Sequence, residues 1–194
     1  IKHLVSSLPL RVSTLRSLGA YANVFAIESF MDEVAHSCGS DPVEFRMNYL
    51  SDYRAKEVLE VAVEKANSRI ISKDGEHGRG FALARYKNDK CYAAVAVDLM
   101  LDDYGSIKLL RAVIAADAGQ VIDPDGLSSQ LEGGFLQSAS WTLKEQVKFD
   151  ERGITSKDWE TYPIMTFGEV PEIETILIDR KESPFLGAGE ATQG

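Results

Sequence analysis

The chain has 194 residues, 44% of them hydrophobic and 26% charged, with a net charge of −9. That length can bury a sizeable core, and the acidic balance excludes non-specific nucleic-acid binding, which needs a basic footprint. No apolar run reaches the roughly 20 residues of a membrane helix.

Residues 1–13 read as a strand that closes at "RVSTLRSLGAY", a loop carrying Arg16 and Gly19, where the glycine relaxes the backbone for a close approach. In "NVFAIESFMDEVAHSCG" the apolar positions Val24, Phe25, Ile27, Phe30, Met31, Val34 and Cys38 fall on one side of a 3.6-residue period, so a helix is expected with Gly39 as its stop. A second short helix follows, with Asp41 as N-cap, Pro42 at its first position and Glu44 where a capping box wants it. A third, over residues 54–66, carries Val58, Leu59, Ala62 and Val63 on one side.

The segment 67–80 is polar and glycine-containing, and reads as a linker between a helical part (1–66) and a strand-rich part (81–194). There the period changes. "GRGFALARYK" and "CYAAVAVDLMLDD" read as strands joined by a Lys-Asn-Asp-Lys turn, and "IKLLRAVIAADAG" as a third. The small apolar run Tyr-Ala-Ala-Val-Ala-Val has the character of a strand covered on both faces. Asp123-Pro124 and Gly126 mark a loop before a helix over 127–139, whose paired Gly133 and Gly134 cost roughly 2 kcal/mol against alanine and so imply close packing or the approach of a ligand. "WTLKEQVKFDERG" reads as strand and turn, "EIETILID" as a last strand. Helices segregated from a mostly antiparallel run of strands predict an α+β fold with the helices packed on one side.

Few residues announce chemistry. Cys38 and Cys91 lie far apart without a CxxC, which excludes a cysteine-held iron–sulfur or zinc site within the chain; both read as small buried or half-buried thiols. His3, His36 and His77 show no HxH or HExxH spacing and read as surface or packing residues. Asp117, Asp123 and Asp125 lack the spacing of a calcium loop and read as loop and turn residues. The closing "SPFLGAGEATQG" sets one carboxylate, Glu190, among glycines and alanines. If that loop is buried, desolvation raises the carboxyl pKa and makes Glu190 a general base near neutral pH; if not, it is an exposed acid in a terminal loop. The start without Met and the abrupt glycine end read as a piece of a longer polypeptide.

Three segments together resemble one family, the molybdenum hydroxylases of the xanthine dehydrogenase/aldehyde oxidase type, with an isoquinoline 1-oxidoreductase-like or aldehyde dehydrogenase-like flavour. They are "LRSLGAYANVFAIESFMDEVAHSCGSDPVEFRMNYL", "DAGQVIDPDGLSSQLEGGFLQSAS" and "FLGAGEATQG", in family order. The resemblance covers nearly the whole chain, corresponds to the C-terminal part of a molybdopterin-binding large subunit, and implies that domain's α+β fold. It further implies a parent oxidoreductase that hydroxylates an aldehyde or N-heteroaromatic carbon with water-derived oxygen, hydride passing to molybdenum, with the isolated piece inactive. By resemblance Glu190 is the catalytic base. Arg16, Gln130 and Gly189 bind the molybdenum–molybdopterin cofactor, with the backbone of Arg16 near the metal. Leu18 lines the substrate pocket where relatives carry an aromatic, which argues against large purine-like substrates. The implied partners are the rest of the large subunit, an iron–sulfur (2Fe-2S) subunit or domain, a flavin or cytochrome electron acceptor, and a second copy of the assembly in a homodimer. A non-catalytic scaffold or assembly domain that kept the fold is the alternative. Pterin nucleotide form and compartment, cytoplasmic or periplasmic, stay undecided.

Overall fold

A computed structural model describes residues 10, 13–69 and 76–194, so the strand expected over 1–13 lies almost wholly outside the described residues. The three expected helices are present: α1 (Ala20–Ser37), α2 (Pro42–Tyr49) and α3 (Tyr53–Asn67). Asp41 accepts from the N–H groups of Val43 and Glu44 at the start of α2, and Asp52 accepts from Arg54 and Ala55 at the start of α3. Each aspartate satisfies amide donors that a first helical turn leaves unpaired.

The apolar stripe of α1 finds little cover. Ala35 is its one buried residue, while Phe25, Ile27 and Phe30 are 62%, 57% and 61% exposed. Polar contacts hold this helix instead. Arg46 of α2 is buried and donates to Glu28 Oε2 at 3.0 Å and to Asp32 Oδ1 at 2.5 Å.

The sheet contains β1 (Glu76–Arg85), β2 (Tyr92–Leu101) and β3 (Ile107–Asp117), then β6 (Glu172–Leu177), in the order β1-β2-β3-β6. The first three pair antiparallel and β3 pairs parallel with β6. A parallel return cannot be made by a hairpin; here it runs through α4 (Pro124–Leu143) and a small ladder of β4 (Phe149–Asp150) and β5 (Gly153–Ile154). Residues 76–80, within the segment read as a linker, form the first half of β1 and pair with Val97–Leu101.

Alternation along β2 and β3 divides the core. Tyr92, Ala94 and Ala115 pack on Ala55, Val58, Leu59 and Ala62 of α3, whereas Ala93, Ala112, Ile114 and Ala116 pack on Leu131 and Phe135 of α4. Fully burying Val58 and Leu59 is worth about 1.5–3 kcal/mol each. The class is α+β with a mixed, mostly antiparallel sheet, as expected. The helices take both faces rather than one, in keeping with the two-sided apolar run of β2, because α4 lies across the face opposite α3.

The strand expected at Trp141–Leu143 is instead the last turn of α4. Trp141 meets Tyr21 of α1 edge-on, ring centroids 5.6 Å apart, and the Tyr21 hydroxyl lies 2.9 Å from Thr142 Oγ1. These contacts extend the helix past the point where β-favouring residues begin. Asp117, expected in a loop, closes β3 as a fully buried carboxylate. It accepts from Arg54 Nε at 2.7 Å, Arg180 Nε at 2.5 Å and Gly119 N at 2.9 Å. Asp123 does take a turn role, capping α4 through Gly126 N at 3.0 Å. Cys91 is buried and Cys38, against expectation, exposed.

Candidate functional site at the Glu190 loop

The glycine-rich segment is tied to the sheet before it reaches Glu190. Leu186 N donates to Ala118 O at 2.7 Å, and Cys91 N donates to Gly187 O at 3.1 Å. Beyond Glu190 the chain buries Ala191, Thr192 and Gln193. Thr192 Oγ1 donates to Leu131 O at 2.6 Å, and Ser138 Oγ donates to Gln193 O at 3.2 Å. An added Cβ at Gly134 would stand 2.5 Å from Thr192 Oγ1, whereas at Gly133 it would meet open space. The paired glycines therefore differ: Gly134 is the seam between α4 and the Glu190 loop, and Gly133 is not.

Arg16, Gln130 and Gly189, distant in sequence, converge. Arg16 Nε donates to Gly189 O at 3.0 Å, with Nη2 on the same oxygen, and Gln130 Nε2 donates to it at 2.8 Å. Arg16 Nη1 also reaches Gln137 Oε1 at 3.2 Å, which accepts from Gln193 Nε2 at 2.8 Å. Gln193 Oε1 is buried without a partner among the described residues.

The next residue, Ser17, donates its N–H to Glu190 Oε1 at 2.9 Å. Ser17 and Leu18 have φ of 76° and 51°, the left-handed region that non-glycine residues seldom occupy. Gly19, expected to provide the backbone freedom, is an ordinary helix-start residue with φ −88°. The strain sits one and two residues earlier, where it turns an amide toward the carboxylate.

Glu190, Ser17 and half-exposed Leu18 line a cavity of about 590 Å³ with Val24, Ile27 and the turn Tyr86–Asn88. Lys87 and Asn88 are left-handed too, at φ 51° and 60°. The Tyr86 hydroxyl is buried and completes no hydrogen bond among the described residues. Burial, then the Glu190 carboxylate beside it, pushes its pKa up to about 12. Glu190 itself is half-buried, and Tyr86 and the Ser17 N–H outweigh desolvation to hold its pKa below the ordinary carboxylate value. The rise expected from burial is therefore reversed: donors around the carboxylate win over its partial desolvation. Sequence reasoning missed Tyr86 and Ser17, since one acts through a remote hydroxyl and the other through its backbone.

Comparisons with known proteins give this geometry a class. The model of the molybdopterin cofactor-binding domain family matches residues 26–171, and the chain belongs to that family, the cofactor domain of the molybdenum hydroxylases. It is 39% identical to a nicotinate dehydrogenase subunit of Pseudomonas putida over 94% of its length. With the beta subunit of isoquinoline 1-oxidoreductase from Brevundimonas diminuta it shares 26% over 89%. The chain spans 17% and 22% of the lengths of these two relatives. The aldehyde oxidoreductase of Desulfovibrio desulfuricans superposes on 93% of the chain and 38% of its own, with a TM-score of 0.71 and 13% identity, which speaks to the fold.

The residues present fit such a cofactor. Among the described residues no group of three or more His, Cys, Asp or Glu side chains could hold a metal. Gln130, Gln193 and Arg16 carry amide and guanidinium groups of the kind that can pair with a pterin edge, and Gln193 Oε1 is an acceptor still unused among the described residues.

Proposed function

We propose that the chain forms part of a molybdopterin-dependent oxidoreductase that hydroxylates an aldehyde or N-heteroaromatic carbon with water-derived oxygen. The observation that carries this reading is the pairing of Glu190 with the Ser17 N–H at a cavity wall, one residue from the carbonyl on which Arg16 and Gln130 meet. Arg16, Gln130 and the Gly189 backbone would hold the cofactor, with the backbone of Arg16 on the metal's side. When bound, the cofactor supplies the redox metal that takes up the electrons leaving the substrate.

Glu190 is the general base. It is ionised at neutral pH because nearby donors favour its charged form, and its place on the cavity wall lets it take a proton from an oxygen nucleophile held there. Leu18 and Ile27 offer an apolar wall to a flat or small substrate; a leucine cannot stack as an aromatic does, which favours an aldehyde or a small heterocycle. The likeness to a nicotinate dehydrogenase supports the heterocyclic branch. The rest of the large subunit, a 2Fe-2S segment or subunit and an electron acceptor complete the enzyme, and the isolated chain is inactive.

The test is Glu190→Gln in the intact enzyme, with molybdenum content measured alongside. Loss of turnover by about 100-fold or more, with metal retained, is the expected result for a general base. Unchanged turnover ends the assignment, and a parent that binds no molybdenum points to the scaffold reading.

A further inference from the structure

Tyr86 combines features that packing alone does not call for. It is 7% exposed, yet its hydroxyl has no hydrogen-bond partner among the described residues. A buried hydroxyl left unsatisfied costs on the order of 1–3 kcal/mol. Its backbone is fixed on both sides: Tyr86 N donates to Cys91 O at 3.1 Å and Lys90 N donates to Tyr86 O at 3.0 Å. The Lys87 ammonium lies 5.4 Å from the ring centroid. The ring is thus held in the wall of the cavity that also contains Glu190.

Glu190 has the complementary deficit. Among the described residues the hydrogen bond that its carboxylate accepts from Ser17 N falls on Oε1, leaving the second carboxylate oxygen to be satisfied. We propose that Tyr86 is a positioning residue for Glu190: its otherwise partnerless hydroxyl closes onto the free carboxylate oxygen, so that phenol and Ser17 amide clamp the base from opposite sides of the cavity. This rests on the reading of Glu190 as the base.

Among the described residues, the charged and titratable groups around that carboxylate come from the loop before α1 and from the end of β1 with its following turn. Arg16 belongs to the loop before α1, Arg85 to the end of β1, and Tyr86 and Lys87 to the turn that follows it. From α4 the uncharged Gln130 and Gln137 bond Gly189 O and Arg16 beside it. Within this set Tyr86 is the neutral donor whose removal changes Glu190 without removing a charge.

The experiment uses the intact enzyme and two readouts, the pH dependence of kcat/KM and the infrared carboxylate band of Glu190, assigned by its loss in E190Q. Tyr86→Phe is expected to move the protonation of Glu190 and the acid limb of kcat/KM upward together. On the acid limb, kcat/KM then falls about 10-fold for each pH unit of that displacement. Installing 3-fluorotyrosine at position 86, a stronger donor of nearly the same shape, is expected to move both downward, and it decides the matter should Tyr86→Phe fail to fold. A Glu190 band that titrates unchanged in Tyr86→Phe, or shifts in the same direction for both replacements, overturns the proposal. If E190Q keeps full turnover the general-base reading falls, while the infrared titration still reports whether Tyr86 clamps Glu190.

Discussion

The amide of Ser17 and the carboxylate of Glu190 are 2.9 Å apart in space and 173 residues apart in sequence. That bond joins the loop before α1 to the glycine-rich segment, and it requires Ser17 to hold a φ of 76°. Left-handed geometry at a residue with a side chain costs of order 1–3 kcal/mol and persists where the surroundings over-determine it. Here the Ser17 side chain is buried, and its Oγ accepts from Tyr21 N at 3.0 Å.

The first prediction concerns pH. Because donors depress the Glu190 pKa, its basic form is fully present above the usual carboxylate range and is lost as pH falls through the lowered value. In the intact enzyme the acid limb of kcat/KM is expected below the ordinary glutamate value of 4.5. A pH–rate profile with its acid inflection near neutrality contradicts this.

Asp117 anchors both Arg54 and Arg180 while fully buried. Asp117→Ala leaves two guanidinium groups facing an empty site and should cost about 3–5 kcal/mol, read as a fall in denaturation midpoint. Burial raises the Asp117 pKa, but the bonds from Arg54, Arg180 and Gly119 N–H outweigh it and hold the pKa low. Its stabilisation is therefore present above the unfolded-state pKa of an aspartate and is lost as pH falls through the depressed value. Wild-type stability should decline at acid pH, and the variant should show less of that decline.

Adjacent glycines in α4 should respond in opposite directions. Gly133→Ala meets no atoms and removes the entropic penalty of a helical glycine, a gain of about 0.5–1 kcal/mol. Gly134→Ala drives a methyl against Thr192 Oγ1 and should cost about 1–3 kcal/mol. Thermal melts of the two variants measure the contrast, and equal melting shifts would remove the seam from the explanation.

Arg46 is the tie between α1 and α2. Arg46→Ala strands the Glu28 carboxylate, whose side chain is 14% exposed, and should lower stability by about 3–5 kcal/mol. Arg46→Lys keeps the charge but loses the fork that reaches Glu28 and Asp32 together, and should fall between wild type and Ala. Denaturant midpoints of the three proteins give the order.

How much of this was legible in the sequence depended on whether the deciding contact was local. Asp41 with Pro42 marks the start of α2 by residues adjacent in the chain, so the boundary could be read directly. The reach of α4 to Leu143 could not, because Trp141 and Thr142 are kept helical by Tyr21, which lies 120 residues earlier in the case of Trp141. Residues 76–80 look like linker by composition and become strand by pairing with β2. Glu190, Arg16, Gln130 and Gly189 stood out through a resemblance of ordered segments, and the structure gathers them. Tyr86 had no such signal, as it shares a cavity with Glu190 only through the folding of segments about 100 residues apart. Periodicity marked the apolar stripe of α1 correctly as a stripe, but it does not reveal which surface covers it.

The parallel pairing of β3 with β6 fixes an order of events. During synthesis from the amino end, Ser17 and Tyr86 emerge long before Glu190. The strand that leads to that carboxylate can dock only after the α4 crossover is complete. Closing a loop of this size is entropically costly, though the cost grows only slowly with length. The short stretch that follows β6 therefore adds Glu190 and Ala191 to the cavity wall after the other lining segments have been made.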